Sequence, residues 1–497
     1  MSRKARVVDI PVIGELDRTT GNLSLQLARS LRKAIHKGEL KAGDLLPSTR
    51  VLSSALNVAR GTVLEAFEQL KAEGFLEMQY GSGTRVARLL ESDNKKPSPT
   101  IPIIADDIPL SAQAQAFAQT AAQMKPLAPV PFAVSVPALD TAPDDIWRRL
   151  GNRIRAKGPG APSGYGDPQG ALALREAICE YVRKARSVHC TPQQIIITSG
   201  TQQGLYLATQ ILLDSGDSAW VEEPAYPGIT AIFASAFRDR TMVRIPVAES
   251  GIDVAVGREI AGNAKAVFVT PSHQYPLGMP MSMAQRNALL AWAKEHKSWI
   301  VEDDYDSEMR YSGHPFASLQ GLDPARVIYL GTFSKVLFPS LRLGYAIVPE
   351  LLVDAFCGAR ILMDRHPPSA DQYVLASFMA EGHLDRHIRK MRSVYAEKRK
   401  VLIEAIRIYI DVELGELQPC DQGMHMVLWL KRGLDDCVVA QKCAQAGISL
   451  RAISPMYGTA RRRSGLLLGL GGYSDQEITR AIIKLNGIMV SLTQSGR

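Results

Sequence analysis

Val327-Ile328-Tyr329-Leu330-Gly331-Thr332-Phe333-Ser334-Lys335-Val336-Leu337-Phe338-Pro339-Ser340-Leu341-Arg342-Leu343-Gly344 is the stretch on which the reading of the whole chain turns. It opens with an apolar run of strand length, Val327 to Leu330. A lysine follows at once, and lysine is seldom buried. Burial beside cations depresses an amine's pKa and makes it a nucleophile for an aldehyde. Thr332, Ser334 and Arg342 supply hydroxyl and guanidinium donors for a phosphate. Alone, such a lysine would suit a snorkelling surface position; among these donors, Lys335 reads as a Schiff-base site.

Upstream, Ile195 to Ile197, Ala219 to Val221, Ala266 to Val269 and Trp299 to Val301 are further strand candidates, separated by helical patterns. That alternation predicts an α/β fold with a largely parallel sheet, whose ligands sit beyond the carboxyl ends of the strands. After the first strand, Thr198-Ser199-Gly200-Thr201-Gln202-Gln203 opens a helix, so free N–H groups there face a phosphate; many helix caps look the same. After the fourth comes Glu302-Asp303-Asp304-Tyr305-Asp306. A carboxylate there suits a pyridine nitrogen and a phenol suits the ring's 3-oxygen. An acidic strand-end turn or a divalent-metal cluster is the other reading. The C-terminal portion reads as a small α+β subdomain: strands at Met424 to Leu430 and Gly465 to Leu470, a helix at Val438 to Ala446, and a capping box Ser474-x-x-Glu477.

The first 90 residues hold 14 Lys or Arg against 9 Asp or Glu, an excess of 14 − 9 = +5 out of +8 for the whole chain. A basic unit suits a polyanion. Leu23, Leu27, Leu31 and Ile35 line one helix face. Pro47-Ser48-Thr49 opens a second helix with Val51, Leu52, Ala55 and Leu56 inward, and a third runs from Arg60 with Val63, Phe67 and Leu70 inward. Phe75 to Ala87 alternates around Gly81-Ser82-Gly83 as a hairpin. Three helices and a hairpin make an α+β winged helix-turn-helix, whose third helix enters the major groove. Arg60 suits guanine, Thr62 a phosphate or base, and Arg50 a backbone phosphate. Gly81 and Gly83 at the hairpin tip allow close approach to DNA, with Arg85 nearby. Solvated helix ends are the bland alternative for these charges.

Between the two parts, residues 89–131 are proline-punctuated and read as a linker, in which Ser111 to Gln123, mostly Ala and Gln, suits a short helix. The expected division is therefore 20–88 for the DNA-binding unit, 89–131 for the linker and 132–497 for the large domain. The six cysteines show no C-x-x-C pair, no apolar run reaches membrane-spanning length, and Met1 to Glu15 lacks a signal-peptide core. The expectation is a cytoplasmic protein with reduced thiols, no membrane contact and no metal site among its nine histidines.

LPSTR (Leu46 to Arg50), VARGTVLEAFEQLKAEGF (Val58 to Phe75) and YGSGTRV (Tyr80 to Val86) resemble the GntR superfamily of bacterial regulators. EEPAYPG (Glu222 to Gly228), TPSHQYPLG (Thr270 to Gly278), GTFSKVLFPSLRLGY (Gly331 to Tyr345) and HIRKMRSVYAEKR (His387 to Arg399) resemble fold-type I aminotransferases, and with the winged helix in front, the MocR-type branch of GntR regulators. The resemblance implies a transcription regulator that binds double-stranded operator DNA and carries pyridoxal 5'-phosphate. It implies the internal aldimine on Lys335, Asp303 on the pyridine nitrogen, Tyr305 on the 3-oxygen and Tyr226 stacked on the ring. Gly200, Thr201, Gln202, Thr332, Ser334 and Arg342 would cup the phosphate, and Tyr165, in YGDPQG, would reach it from the other subunit of a homodimer. Two departures stand out. Gln274-Tyr275-Pro276-Leu277-Gly278 replaces Asn-Pro-Thr-Gly, and Leu466 occupies the expected place of the substrate-carboxylate arginine, with Arg461, Arg462 and Arg463 read as solvated loop residues. Three functions follow: a regulator sensing a small amine or amino acid, a working aminotransferase with a DNA-binding appendage, or a regulator for which pyridoxal phosphate itself is the signal. Without the carboxylate arginine, physiological turnover is not expected, although vestigial transaminase chemistry is compatible with the lysine motif.

Overall fold

The computed structural model describes residues 16–79, 83–87, 109–124, 130–134, 136–138, 141–158, 164–313, 316–459 and 462–495. The chain divides into two compact units, residues 1–109 and 110–497.

In the first unit, helices Leu23–His36, Thr49–Ala55 and Arg60–Ala72 precede an antiparallel pair, β1 (Leu76–Gln79) and β2 (Gly83–Val86). Leu27, Leu31, Leu52, Val63, Phe67, Leu70, Leu76 and Val86 form its core. Arg32 grips Glu73 through two nitrogens, tying the first helix to the end of the third. The inward face expected of the second helix is narrower than the sequence suggests. Leu52 is buried and Leu56 half-buried, but Ala55 is exposed and Val51 is 53% exposed. A seven-residue helix has two turns and presents few positions to a core. Ser48 caps it, accepting from the Val51 N–H at 3.3 Å. Tyr80, Gly81 and Ser82 lie outside the described residues.

The second unit is built on an eight-stranded sheet of order β3-β10-β9-β8-β7-β4-β5-β6. The strands are β3 (Ile195–Thr198), β4 (Ser218–Glu223), β5 (Thr241–Ala248), β6 (Gly251–Ile252), β7 (Ala266–Val269), β8 (Trp299–Asp304), β9 (Val327–Thr332) and β10 (Gly344–Ile347). Pairs β4–β5, β4–β7, β7–β8 and β8–β9 are parallel, as expected. β10 is not: it runs antiparallel between β3 and β9, with Gly344 opposite both Thr198 and Thr332. A side chain at Gly344 would meet Gly200 Cα at 2.7 Å and the Gly331 carbonyl at 2.8 Å, so only glycine lets these backbones close. Strands β8 and β9 also run further than their apolar stretches, to Asp304 and Thr332, which puts polar side chains inside the ladder.

A four-stranded antiparallel sheet completes the unit: β11 (Gly415–Leu417), β12 (His425–Leu430), β13 (Arg451–Ala452) and β14 (Gly465–Gly469), in order β11-β12-β14-β13. On one face Met426, Leu428, Leu466 and Leu468 pack with Val439 and Cys443 of helix Asp436–Gln445 and Ile482 and Leu485 of helix Asp475–Ser495. On the other, Val427, Trp429 and Leu467 pack with Tyr275. Ser474 and Glu477 form the expected capping box, at 2.8 and 3.3 Å. The Ala/Gln stretch is a helix, Ala112–Gln123, capped by Ser111, and Gln113 donates to the Ser235 carbonyl. That part of the expected linker therefore packs on the larger unit, while residues 88–108 lie outside the described ones.

Arg186, last residue of helix Leu172–Arg186, meets Asp304 at 2.7 Å, with side chains 5% and 1% exposed. Removing one partner of such a pair leaves the other charge buried and uncompensated. Arg186→Ala is expected to cost about 3–5 kcal/mol of stability in urea unfolding of the intact protein, and Arg186→Met with Asp304→Leu together to cost less than Arg186→Ala alone.

Candidate functional site

The carboxyl end of β8 carries four buried carboxylates, each with a different fate. Glu302 accepts the backbone N–H groups of Leu319 and Gln320 at 3.1 and 3.0 Å, and burial pushes its carboxyl up to about 7. Asp304 accepts from Arg186, Ser307 and Tyr329. Asp306 is held by His273 Nδ1 at 2.9 Å and the Met424 N–H at 3.2 Å. Among the described residues, Asp303 accepts no hydrogen bond, and its buried Oδ1 has no partner. Burial, reinforced by Asp304, pushes its carboxyl up to about 7, while Lys335 acts in the opposite direction. Lys335, just past β9, is half-buried. Burial pushes its amine down to about 8, against the carboxylates of Asp306 and Asp303 and with help from Arg342 and Arg451.

Across β10, the turn after β3 forms a cradle. Gly200, at φ 99°, is the N-cap of helix Thr201–Leu212 and adopts a conformation that L side chains avoid. The N–H groups of the first helical turn have no intrahelical partners. Arg342, itself left-handed at φ 50°, brings its guanidinium over this turn: a Cβ on Gly200 would lie 3.5 Å from it. Thr332 Oγ accepts the Ser334 N–H at 3.1 Å, leaving Ser334 Oγ buried without a partner. Gln202 donates to the Gly228 carbonyl at 3.1 Å, while its buried Oε1 is unpaired. Buried polar groups are normally satisfied. Asp303 Oδ1, Ser334 Oγ and Gln202 Oε1 are buried without partners just at or past the ends of β8, β9 and β3, and the Lys335 amine lies in the field of Asp303 and Arg342. Such a set fits a ligand with a ring nitrogen at one end, an aldehyde in the middle and a phosphate at the other.

Aromatic rings wall the site. Tyr226, following β4, meets Tyr275 edge to face at 5.4 Å, and Tyr275 meets Tyr305 at 5.9 Å. Burial pushes the Tyr226 phenol up to about 12. The Tyr305 hydroxyl lies 3.0 Å from His273 Nδ1. Burial alone would lower the His273 imidazole, but the Asp306 carboxylate outweighs it and holds the ring protonated up to about 10. One N–H is thus shared between Asp306 and the Tyr305 oxygen, which leaves the phenol's own proton free for another acceptor. His425, pushed down to about 4 by burial and by the His273 cation, bonds the Pro276 carbonyl at 3.0 Å.

Several site residues escaped the sequence reading. His273, Asp306 and His425 bring side-chain donor atoms within 4.8 Å of one another, although far apart in the chain; the hint was HQYP inside a motif already singled out. Tyr275, standing where an asparagine was expected, contributes a ring to the wall. Leu466 faces the helices, so the position facing the aromatic wall is Leu467, and opposite it on β13 is Arg451. Arg462 is exposed, as read; Arg463 is exposed but stacks on Trp429 at 3.8 Å, and Arg461 lies outside the described residues. Tyr165 is 81% exposed, its ring against His366 and Arg365 rather than the residues around Lys335. In the first unit, Arg50 and Arg60 are exposed and Thr62 half-buried at the start of helix Arg60–Ala72, with Arg60 Nε 3.3 Å from Thr49. Gly83 has φ 90°. Arg85 is half-buried and donates to the Gly43 carbonyl at 3.3 Å, so its guanidinium is partly engaged within the wing.

A half-buried lysine in the field of an unpaired aspartate, beside a glycine-led helix turn, in a chain that also carries a winged helix-turn-helix, defines a two-part class: a DNA-binding module fused to a pyridoxal-phosphate-binding domain. Residues 23–86 match the bacterial regulatory proteins of the gntR family, and residues 132–482 match aminotransferase class I and II. The chain is 35% identical to the probable rhizopine catabolism regulatory protein MocR of Rhizobium meliloti, over 95% of this chain and 94% of that one. It is 30% identical to the pyridoxine biosynthesis transcriptional regulator PdxR of Corynebacterium glutamicum, over 97% and 98%. Among solved structures, kynurenine aminotransferase of Pyrococcus horikoshii matches with TM-score 0.67 and 26% identity over 77% of this chain and 95% of that one. The chain belongs to the MocR-type GntR family of transcription regulators, and the cofactor of its larger unit is pyridoxal 5'-phosphate.

The free base of Lys335 is the form that attacks an aldehyde. Capture of pyridoxal phosphate by the cofactor-free protein, followed by stopped-flow absorbance, is expected to accelerate through about pH 8 and level off above it. A rise centred near the ordinary lysine value would show that the amine is solvated.

Proposed function

We propose that this protein binds operator DNA through its winged helix and that the occupancy of the Lys335 pocket sets its regulatory state. The cofactor supplies an aldehyde and a pyridine ring able to act as an electron sink. In this reading Lys335 is the residue that captures the aldehyde. Asp303 accepts the ring N–H, Tyr305 directs its free proton to the 3-oxygen, and Tyr226 covers one ring face. Gly200, Thr201, Gln202, Thr332, Ser334 and Arg342 hold the phosphate with backbone and side-chain donors. The exposed Tyr165 supplies its hydroxyl to the phosphate site of a second copy, which makes the working form a homodimer. With the cofactor's aldehyde held there, Lys335 would be the residue an amine or amino-acid effector has to displace, and its release would shift the balance between two states of the larger unit. The carrying observation is the unpartnered buried carboxylate of Asp303, which no group among the described residues satisfies.

The domains in this proposal are residues 20–88 for DNA and 132–497 for the cofactor, joined through 89–131. No helix among the described residues is long and apolar enough to cross a membrane; the cytoplasmic site of action in this proposal rests on the DNA-binding module. A second reading, transamination, is favoured by the depressed amine of Lys335 lying in the field of Asp303. Steady multi-turnover conversion of an amino acid with a keto acid would establish it.

Binding of promoter-region DNA, read by fluorescence anisotropy with and without pyridoxal phosphate, tests the regulator directly; no binding at moderate salt would end it. Lys335→Ala is expected to lose the visible absorbance of the bound cofactor while keeping the fold. Arg60→Ala is expected to weaken operator binding by roughly 1–3 kcal/mol, with cofactor absorbance unchanged. Unaltered affinity would remove Arg60 from base readout.

A further inference from the structure

We propose that the π-helical turn Ile232–Ala236 relays the state of the Lys335 pocket to helix Ala112–Gln123, whose docking or release sets the span of chain between the cofactor unit and the DNA-binding unit. This rests on the reading that occupancy of that pocket sets the regulatory state.

The pocket grips this turn from two sides. Tyr226 is the N-cap of the short helix Pro227–Ala231, which runs directly into Ile232–Ala236. Gln202 donates to the Gly228 carbonyl at 3.1 Å, and a side chain at Gly228 would collide with both Gln202 and the Tyr226 ring. In the proposed arrangement one of these residues covers the cofactor ring and the other holds its phosphate, so both fix the start of the helix. From the cradle helix Thr201–Leu212, Tyr206 reaches the far end, its ring 5.1 Å from that of Phe237. Ile232, Phe233 and Phe237 are buried in the same core as Leu205 and Leu207. A shift in either wall of the pocket therefore bears on one turn.

That turn belongs to one of two discrete hydrogen-bonding registers. The Phe237 N–H bonds the Ile232 carbonyl at 3.1 Å, five residues back, where an α-helix would use the carbonyl four back. The Ser235 hydroxyl donates to the Ala231 carbonyl, the acceptor that its own N–H would take in an α-helix. Passing from one register to the other turns the later residues about the helix axis and re-aims the Ser235 carbonyl. That carbonyl accepts from Gln113 Nε2 of helix Ala112–Gln123. Carbonyls of a last helical turn have no partner inside the helix, so Gln113 fills a place otherwise left to water.

Helix Ala112–Gln123 is held lightly. None of its 12 residues is buried, and Phe117 is 47% exposed. A helix of this length is marginal without a packed face, so its place depends on few contacts. By chain order it lies between the winged helix and the large sheet. Docked, it belongs to the larger unit. Released, it adds its length to the connection, which changes the effective concentration of one DNA-binding unit for its half-site in the proposed homodimer.

The test follows hydrogen exchange of residues 112–123 by mass spectrometry and operator binding by fluorescence anisotropy, on the full-length protein with and without pyridoxal phosphate. A ring held against Tyr226 is expected to favour the π register and slow exchange across 112–123. Operator affinity should change in parallel, by roughly 5- to 150-fold. Gln113→Ala should speed that exchange by roughly two- to tenfold, the worth of one hydrogen bond, and bring the two operator affinities closer together with cofactor absorbance unchanged. Ser235→Ala should narrow the gap in the same way, while Gln119→Ala, at an exposed position of the same helix, should leave it as it is. Exchange across 112–123 that ignores the cofactor, or operator affinities that stay equally far apart in both Gln113→Ala and Ser235→Ala, would overturn the relay. Wild-type protein that takes up the cofactor while its operator affinity stays fixed would instead overturn the reading on which the relay rests.

Discussion

Burying negative charge at the end of β8 is the constraint around which the larger unit is arranged. Glu302, Asp303, Asp304 and Asp306 are all sheltered from water within five residues. Uncompensated, such a cluster would be intolerable. The fold answers it one residue at a time. The N-terminal backbone of helix Leu319–Leu322 meets Glu302, the last arginine of helix Leu172–Arg186 meets Asp304, and His273 meets Asp306. Asp303 is left over. Its neighbours are satisfied and it is not, which makes Asp303 the carboxylate assigned to the ligand in the proposed function.

The same economy governs the amine and the cradle. Lys335 is kept reactive by burial, and the carboxylates around it stop that effect from going further. Antiparallel insertion of β10 brings Gly344 against Gly200 and Gly331, and the close approach draws the helix after β3 up beside Lys335. A side chain at Gly344 would strike the Gly200 and Gly331 backbones, one at Gly331 would strike the Tyr345 ring, and Gly200 is required by its φ of 99°. His273 links the two halves of the site: it neutralises Asp306 and, through the same N–H, orients the Tyr305 hydroxyl.

The first unit solves a simpler problem. Its core needs little more than one apolar residue per turn from three helices, sealed by Leu76 and Val86 of the hairpin. That leaves Arg50, Arg60 and the exposed Val51 at the surface, with the third helix held by Val63, Phe67 and Leu70 from beneath. A reading helix fixed from behind and charged at its N-terminus is what groove recognition demands. The regulatory logic then places chemistry in one unit and recognition in the other.

The sequence by itself determined the winged helix, the strands β3, β4, β7, β8 and β9 and the glycine-led helix start after β3, because each announces itself locally: an apolar run, a capping residue, a glycine before a helix. It misplaced Val51, because a two-turn helix has fewer inward positions than its apolar residues imply, and it passed over β10, whose short run beginning at Gly344 becomes a strand only between two waiting neighbours. The tertiary structure alone decided which carboxylate is left unpaired, that His273 joins Asp306 and Tyr305, and that Leu467 and Arg451, not Leu466, face the aromatic wall. Those outcomes depend on pairing register and on partners more than a hundred residues away in the chain for some contacts, such as Asp306 with Met424 at a separation of 118. No local pattern encodes them, because hydrogen-bond satisfaction and strand register are settled only when the sheets close.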